Sequence, residues 1–360
     1  MNKNSIINVG VENSGVFYNS YLLCFEKTVL IDTVPLKFSD ELCMNIQKNG
    51  VNKLDYIILN HTEEDRSGAI SRLMEKYPDT TVISTVSGLK NIKEQLNKEF
   101  KQMLAKSNMV LKLDEENSLK FLITHNINWP DSMMTYHMEQ KILFSCDAFS
   151  DVGGMYEYYK KNLSSFSEYV YSSVKMLKNI DVEKICPANG KNIDNPEKAF
   201  EDYLIWSQPY EIKEKNVCVV YYSKTKHTEK MVKRAKKLME NEIKCSAFDV
   251  MSEDKELILD AIYKADGVIF ATPTENRNIP YEMSSVIMSL DHFKLKKQIF
   301  ASFGSYGWSG EATNLVYSYL RARHFETYSA PFRWIFSEDG ETLESFDKYI
   351  KSFYEKVINI

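Results

Sequence analysis

The six residues Val217-Cys218-Val219-Val220-Tyr221-Tyr222 are apolar or aromatic without interruption, and they run straight into the polar segment Ser223-Lys224-Thr225-Lys226-His227-Thr228. A strand that is apolar at every position has no face to give to water. It must be covered on both sides, as in a parallel sheet with helices on each face. The residues beyond it keep that rhythm. Helical spacing over 229–240 leads to a strand at Ala247–Val250, a helix over 254–264, a strand from Gly267 to Ala271, a helix over 280–290 and a strand from Gln298 to Phe303. Alternation of this kind predicts a doubly wound α/β unit, with ligands bound outside the carboxyl ends of the strands.

The first half alternates as well. Residues 18–34 read as two short strands joined at Glu26-Lys27, and Leu36 to Asn49 has helical spacing that stops at Gly50. Tyr56-Ile57-Ile58-Leu59 is a second fully apolar strand. Ala69–Lys76 is helical, Thr81–Ser84 is a strand, and strand–helix–strand alternation is expected to continue through Lys141–Asp147. A Tyr-rich helical stretch spans about 155–180, and the loop Cys186–Lys191 comes next. The pattern breaks at Pro209 and the charged linker Glu211-Ile212-Lys213-Glu214-Lys215-Asn216. A chain of 360 residues is long enough for two cores. The expected domains are therefore 1–212 and 213–360.

Bulk properties narrow the function classes. A net charge of -5, with both signs interspersed, gives no electrostatic reason to expect nucleic acid or an anionic membrane as partner. The sequence has no apolar run of about 18 residues and no signal-peptide pattern, so no membrane span is expected and the expected location is cytoplasmic. The cysteines Cys24, Cys43, Cys146, Cys186, Cys218 and Cys245 form no C-x-x-C pair, which argues against a thiolate metal site and fits reduced, buried thiols.

Three loops after three strands of the second half carry chemistry. Ser223, Lys224, Thr225, Lys226, His227 and Thr228 offer hydroxyls, cations and helix-start amides to a phosphate, although Ser and Thr in such a place also serve as plain helix caps. Thr272-Pro273-Thr274-Glu275-Asn276 forms the second loop. In the third, Phe303-Gly304-Ser305-Tyr306-Gly307-Trp308-Ser309-Gly310-Glu311, glycines would admit a flat ring and Tyr306 or Trp308 could stack on it. This third segment resembles, nearly residue for residue, the isoalloxazine-binding loop of the flavodiiron proteins, and Thr272-Pro273-Thr274 resembles their second loop. The first loop resembles the flavodoxin pattern S-x-T-G-N-T, with Lys226 in place of Gly and His227 in place of Asn. The resemblance implies FMN, held by one terminal phosphate.

The first half resembles the same family. His61-Thr62-Glu63-Glu64-Asp65-Arg66 resembles its H-x-E-x-D-H motif, Asn128-Trp129-Pro130-Asp131-Ser132-Met133 its H-W-P-D-S-M, Leu143–Phe149 the strand and loop that deliver the bridging Asp, and Pro187-Ala188-Asn189-Gly190 its P-x-H-G. The implied architecture is a metallo-β-lactamase-like αββα sandwich followed by a flavodoxin-like doubly wound sheet. Of the family's iron ligands, His61, Glu63, Asp65 and Asp147 carry over, while Arg66, Asn128 and Asn189 stand where histidines are expected. By that pattern the first iron keeps His61, Glu63 and Asp147, and the second keeps only Asp65 and Asp147. Arg66 has no lone pair to donate and is expected to pair with a carboxylate instead. No iron, or a single metal beside His61, Glu63 and Asp147, is expected. His125 and His137 are expected to be surface or satisfied histidines rather than replacements, and His292 and His324 to carry no function.

The resemblance implies a redox flavoprotein of electron-transfer type, fed by a separate donor such as a rubredoxin or a reductase, and assembled as a head-to-tail homodimer that brings the flavin of one chain near the metal pocket of the other. Two alternatives stand beside it: an active flavodiiron reductase of oxygen or nitric oxide, and a non-enzymatic scaffold with a pseudo-active site. A zinc hydrolase would need an imidazole-rich site that the sequence lacks.

Overall fold

In a computed structural model of the chain, residues 4–208, 214–291, 294–295, 298–336 and 338–359 are described. The chain separates into two compact units, Met1–Pro209 and Tyr210–Ile360. Half of the charged linker, Glu211 to Lys213, and His292 lie outside the described residues.

The first unit holds two large sheets. Its strands, in chain order, are Ser5–Asn8 (β1), Val11–Asn13 (β2), Val16–Tyr18 (β3), Tyr21–Cys24 (β4), Thr28–Ile31 (β5), Tyr56–Ile58 (β6), Thr81–Ser84 (β7), Gln102–Leu104 (β8), Val110–Lys112 (β9), Ser118–Ile123 (β10), Met133–His137 (β11), Ile142–Cys146 (β12) and Lys184–Pro187 (β13). One sheet runs β1-β4-β5-β6-β7-β8 and the other β13-β12-β11-β10-β9, while β2 and β3 form a separate hairpin. Successive residues serve opposite faces. Leu22, Leu30, Ile57 and Val82 pack against Leu42, Ile46, Ile70, Leu73 and Ile92 of the outer helices. Their neighbours Leu23, Val29, Ile31, Ile58 and Ile83 meet Leu119, Phe121, Met133 and Phe144 of the second sheet. The outer face of that second sheet is closed by Val170, Val174, Leu177, Ala199 and Tyr203. The result is the expected αββα sandwich.

The expected strand–helix alternation stops at the helix Val86–Leu96. From there to Cys146 the chain makes five strands with no helix between them, and β9 to β12 pair antiparallel. Antiparallel neighbours need only a short turn, so no crossover helix is required. The 155–180 stretch is broken into Met155–Tyr158, a π turn at Tyr159–Leu163, a 3-10 turn at Ser164–Phe166 and the helix Ser167–Leu177.

The second unit is a parallel sheet of Asn216–Tyr221 (β14), Lys244–Asp249 (β15), Gly267–Ala271 (β16), Ile299–Tyr306 (β17) and Glu326–Thr327 (β18), in the order β15-β14-β16-β17-β18. Val217 and Val219 face the helices His227–Met239 and Gly340–Ile358, whereas Cys218 and Val220 face those over 255–264, 281–288 and 312–322. Both faces are covered, as the apolar run requires. Strand order reverses between β14 and β16, so the loops after these two strands diverge and leave the crevice in which doubly wound sheets bind ligands. β17 is longer than expected. Its second half, Phe303–Tyr306, pairs with Phe332–Ile335 (β19), so the first four residues of the expected third loop are strand.

Candidate functional site

The first unit gathers all seven positions singled out in its motifs around Asp147. His61 follows β6, Glu63 to Arg66 form the start of the helix Glu64–Ser67, Asp147 follows β12, and Asn189 follows β13. The Asp147 carboxylate is 2 % exposed, and both of its oxygens are occupied by protein donors. Oδ2 lies 2.8 Å from His61 Nε2 and accepts from Asn128 Nδ2 at 2.8 Å, while Oδ1 accepts from Arg66 Nε at 3.3 Å and a terminal guanidinium nitrogen at 3.0 Å. His61 Nδ1 accepts the Glu63 amide at 3.0 Å. An Nδ1 that accepts this amide places a ring proton on Nε2, facing Asp147.

Arg66 is fully buried. Besides Asp147, its guanidinium reaches Asp65 Oδ2 at 3.3 Å and Asn189 Oδ1, while Asn189 Nδ2 donates to the Phe17 carbonyl at 2.6 Å. Burial alone would push the Asp147 carboxyl up, but His61, the Arg66 guanidinium and the Asn128 amide outweigh it and hold the group well below the usual carboxylate range. Asn128 adopts a φ of 67°, a left-handed conformation that Asn takes more readily than most residues. Beside the cluster opens a cavity of about 440 Å³ lined by Glu63, Asp65, Asn128, Asp147, Tyr158 and Lys161, among others.

Two groups of possible ligands have donor atoms within 4.8 Å of one another: His61 with Glu63 and Asp65, and His61 with Cys146 and Asp147. The expected trio of His61, Glu63 and Asp147 is not one of them among the described residues. Cys146 was missed in the sequence because a lone thiol ending an apolar strand carries no signal. Burial pushes it up to about 12, so it stays protonated. His125 is exposed and bonds the Pro130 carbonyl. His137 is not at the surface: it is fully buried at the end of β11, where Nδ1 accepts the Gln140 amide and burial lowers its basicity.

In the second unit the three loops follow β14, β16 and β17. The first-turn amides of a helix have no intrahelical acceptor. Ser223 Oγ takes the Glu229 amide at 3.1 Å, leaving the amides of His227 and Thr228 for a ligand. Lys226 precedes the helix at φ 65°, the left-handed conformation that a glycine supplies at this place in the flavodoxin pattern. Lys224 pairs with Glu275 at 3.2 Å, and Tyr222 donates to the same carboxylate, so Glu275 ties the first two loops together. Asn276 and Arg277, at φ 50° and 61°, make a tight turn closed by reciprocal bonds between Glu275 and Asn278. Thr274 Oγ1 accepts the Ala312 amide. Trp308 is 89 % exposed, its ring free to stack.

The glycines of the third segment are bounded by the protein's own atoms. A Cβ on Gly304 would stand 1.8 Å from the Thr272 carbonyl oxygen, and one on Gly310 would meet the Tyr306 ring at 2.9 Å. One on Gly307 would meet the Phe336 ring at 3.0 Å. Gly304 thus serves strand–loop packing in the first place. The donor set of the loops, with free helix-start amides, hydroxyls, Lys226 and an exposed indole, fits a phosphate joined to a flat aromatic ring. The first unit does not fit two irons, because every oxygen of its central carboxylate is already bonded and a guanidinium stands among the ligand positions.

Comparison with known proteins agrees with both halves. Residues 16–190 match the ODP family beta lactamase description and residues 219–345 match Flavodoxin. The chain is 30% identical over 355 residues to the anaerobic nitric oxide reductase flavorubredoxin of Vibrio vulnificus, covering 91% of this chain and 71% of the relative. It is 31% identical over 352 residues to the Escherichia coli protein of the same name, covering 91% and 73%. Among solved structures, the rubredoxin oxygen:oxidoreductase of Desulfovibrio gigas aligns with a TM-score of 0.65 at 22% identity, covering 98% of this chain and 97% of that one. The flavodiiron protein of Giardia intestinalis aligns with a TM-score of 0.64 at 22% identity, covering 98% and 95%. From the fold of both halves, the spacing of the motifs and a similarity that spans 91% of the chain, the chain belongs to the flavodiiron protein family, a family of redox flavoproteins with an FMN-binding flavodoxin domain.

Proposed function

We propose that this chain is a flavin-only member of its family, a redox protein that carries electrons on FMN and has no di-iron centre. The observation that carries the reading is the state of Asp147, whose two carboxylate oxygens are satisfied by His61, Asn128 and Arg66. A bridging carboxylate in a non-haem centre must offer its lone pairs to metal, and imidazoles must complete the shell. Here Arg66, Asn128 and Asn189 supply N–H donors or weak amide oxygens in their stead.

FMN, when bound, supplies one- and two-electron transfer. Its phosphate would be held by the amides of His227 and Thr228, the hydroxyls of Ser223 and Thr225, and the charge of Lys226. The segments Thr272–Asn276 and Phe303–Gly310 would wall the ring, with Trp308 as the stacking side chain. A homodimer arranged head to tail, a cytoplasmic setting and a separate electron donor complete the reading. The name of the Desulfovibrio gigas relative couples it to rubredoxin, so rubredoxin is the first donor to try.

Flavin absorbance and elemental iron, measured on protein purified from iron-supplied cells, test this together. One FMN and at most one iron per chain are expected. Two irons per chain would restore the di-iron reading. Failure of the folded protein to bind added FMN would sink the flavin assignment.

A further inference from the structure

We propose that the Arg66 guanidinium is a built-in cation that replaces the second metal of the family's centre, holding its remaining carboxylates in place by hydrogen bonding to Asp147 and ion pairing with Asp65 instead of coordination. This rests on the flavin-only reading and adds a specific role for one residue.

The partners make the case. By the family pattern the second metal would be left with Asp65, Asp147 and the position of Asn189. The Arg66 guanidinium touches all three: Asp147 Oδ1 at 3.0 Å, Asp65 Oδ2 at 3.3 Å, and Asn189 Oδ1. One terminal guanidinium nitrogen makes all three contacts and Nε adds a second bond to Asp147 Oδ1, while the other terminal nitrogen is buried without a hydrogen-bond partner, so a single positive group faces each donor as a metal would. The arginine is also seated from behind. Its carbonyl accepts both the Thr33 amide and the Thr33 hydroxyl at 2.8 Å, and its amide donates to the Glu63 carbonyl at 3.0 Å.

The replacements depend on one another. Asn189 can turn its amide oxygen to the guanidinium only because its Nδ2 has the Phe17 carbonyl to donate to. On the other side of Asp147, His61 Nε2–H and the Asn128 amide occupy Oδ2. Arg66 is fully buried, so it cannot be an incidental surface pair, which salt and water would render nearly worthless. Without it Asp147 and Asp65 would face each other beside Glu63 with no cation between them. That is the arrangement that draws in a metal.

The test exchanges the built-in cation for a free one. Full-length, FMN-loaded wild type, Arg66→Met and Arg66→Lys are melted anaerobically with and without Fe2+, and bound iron is counted after desalting. Wild type should melt at the same temperature with and without Fe2+. Arg66→Met should melt lower, take up iron, and recover part of the loss when Fe2+ is present. Arg66→Lys, which keeps charge but not the bond that Nε adds to Asp147, should fall between and take up less iron. If Arg66→Met folds only with Fe2+, the inference stands. If it folds in neither condition, the triple variant Arg66→His, Asn128→His, Asn189→His decides. Iron-dependent folding of that protein supports the exchange, and its failure to fold or bind iron overturns it. An Arg66→Met protein as stable as wild type, or destabilised but indifferent to Fe2+, also overturns the inference while leaving the flavin-only reading intact. Two irons bound by wild type would overturn that reading itself.

Discussion

Asp147→Asn removes one charge from the centre of the buried cluster while keeping its shape. Arg66 is then left fully buried with only Asp65, whose side chain is 33% exposed, as counter-charge. The new amide also points N–H groups at donors, because the oxygens it replaces receive His61 Nε2–H and Asn128 Nδ2 on one side and the guanidinium on the other. Breaking a buried pair by removing one partner costs about 3–5 kcal/mol. A unit of this size shifts by about 2–4 °C per kcal/mol, so its melting temperature should drop by about 6–20 °C. Circular dichroism of the full chain reads this transition, and flavin fluorescence follows the second unit separately, since two units need not unfold together. The acid limb should change too. Asp147 is held below its unfolded value, so its contribution is fully present above the ordinary carboxylate pKa of about 3.9 and is lost as pH falls through the folded one. Asp147→Asn should abolish that acid dependence. A melting change equivalent to less than about 0.5 kcal/mol at neutral pH would refute the picture of a charge-compensated buried cluster, since that is the scale of surface substitutions.

Three other expectations concern the second unit. Lys226→Gly should stabilise it by about 1 kcal/mol, because a glycine accepts φ 65° without strain; a lower melting temperature would contradict this. Trp308→Ala should weaken FMN binding about fivefold, the loss of about 1 kcal/mol of stacking, with folding unchanged; equal affinity by fluorescence titration would remove the indole from the ring site. Gly304→Ala should destabilise the unit by about 1–3 kcal/mol or more through overpacking against the Thr272 carbonyl, measured by urea unfolding of the FMN-free protein; a neutral effect would mean that this approach of strand and loop relaxes freely.

Much of the architecture was legible in single residues and their spacing. Val217–Tyr222 could only be a strand covered on both faces, because hydrophobic period reports burial directly. The chemistry lost from the first unit was legible as well, since Arg66, Asn128 and Asn189 are written in the sequence at positions where the motifs call for histidine. Pairing was not legible. Antiparallel β9 to β12 and the continuation of β17 through Tyr306 depend on which strand lies alongside, and β17 finds its second partner in Phe332–Ile335 after Glu326–Thr327 ends. Whether His137 was a surface or a satisfied histidine was open until β11 placed it against Phe25, far away in the chain. Gly304 and Gly310 looked like room for a ring, but their spaces are set by Thr272 and Tyr306. The sequence alone established that Arg66 could not ligate a metal. Only the tertiary structure could show that one guanidinium contacts Asp65, Asp147 and Asn189 at once, because Arg66 and Asn189 are 123 positions apart and local propensity carries no information about such contacts.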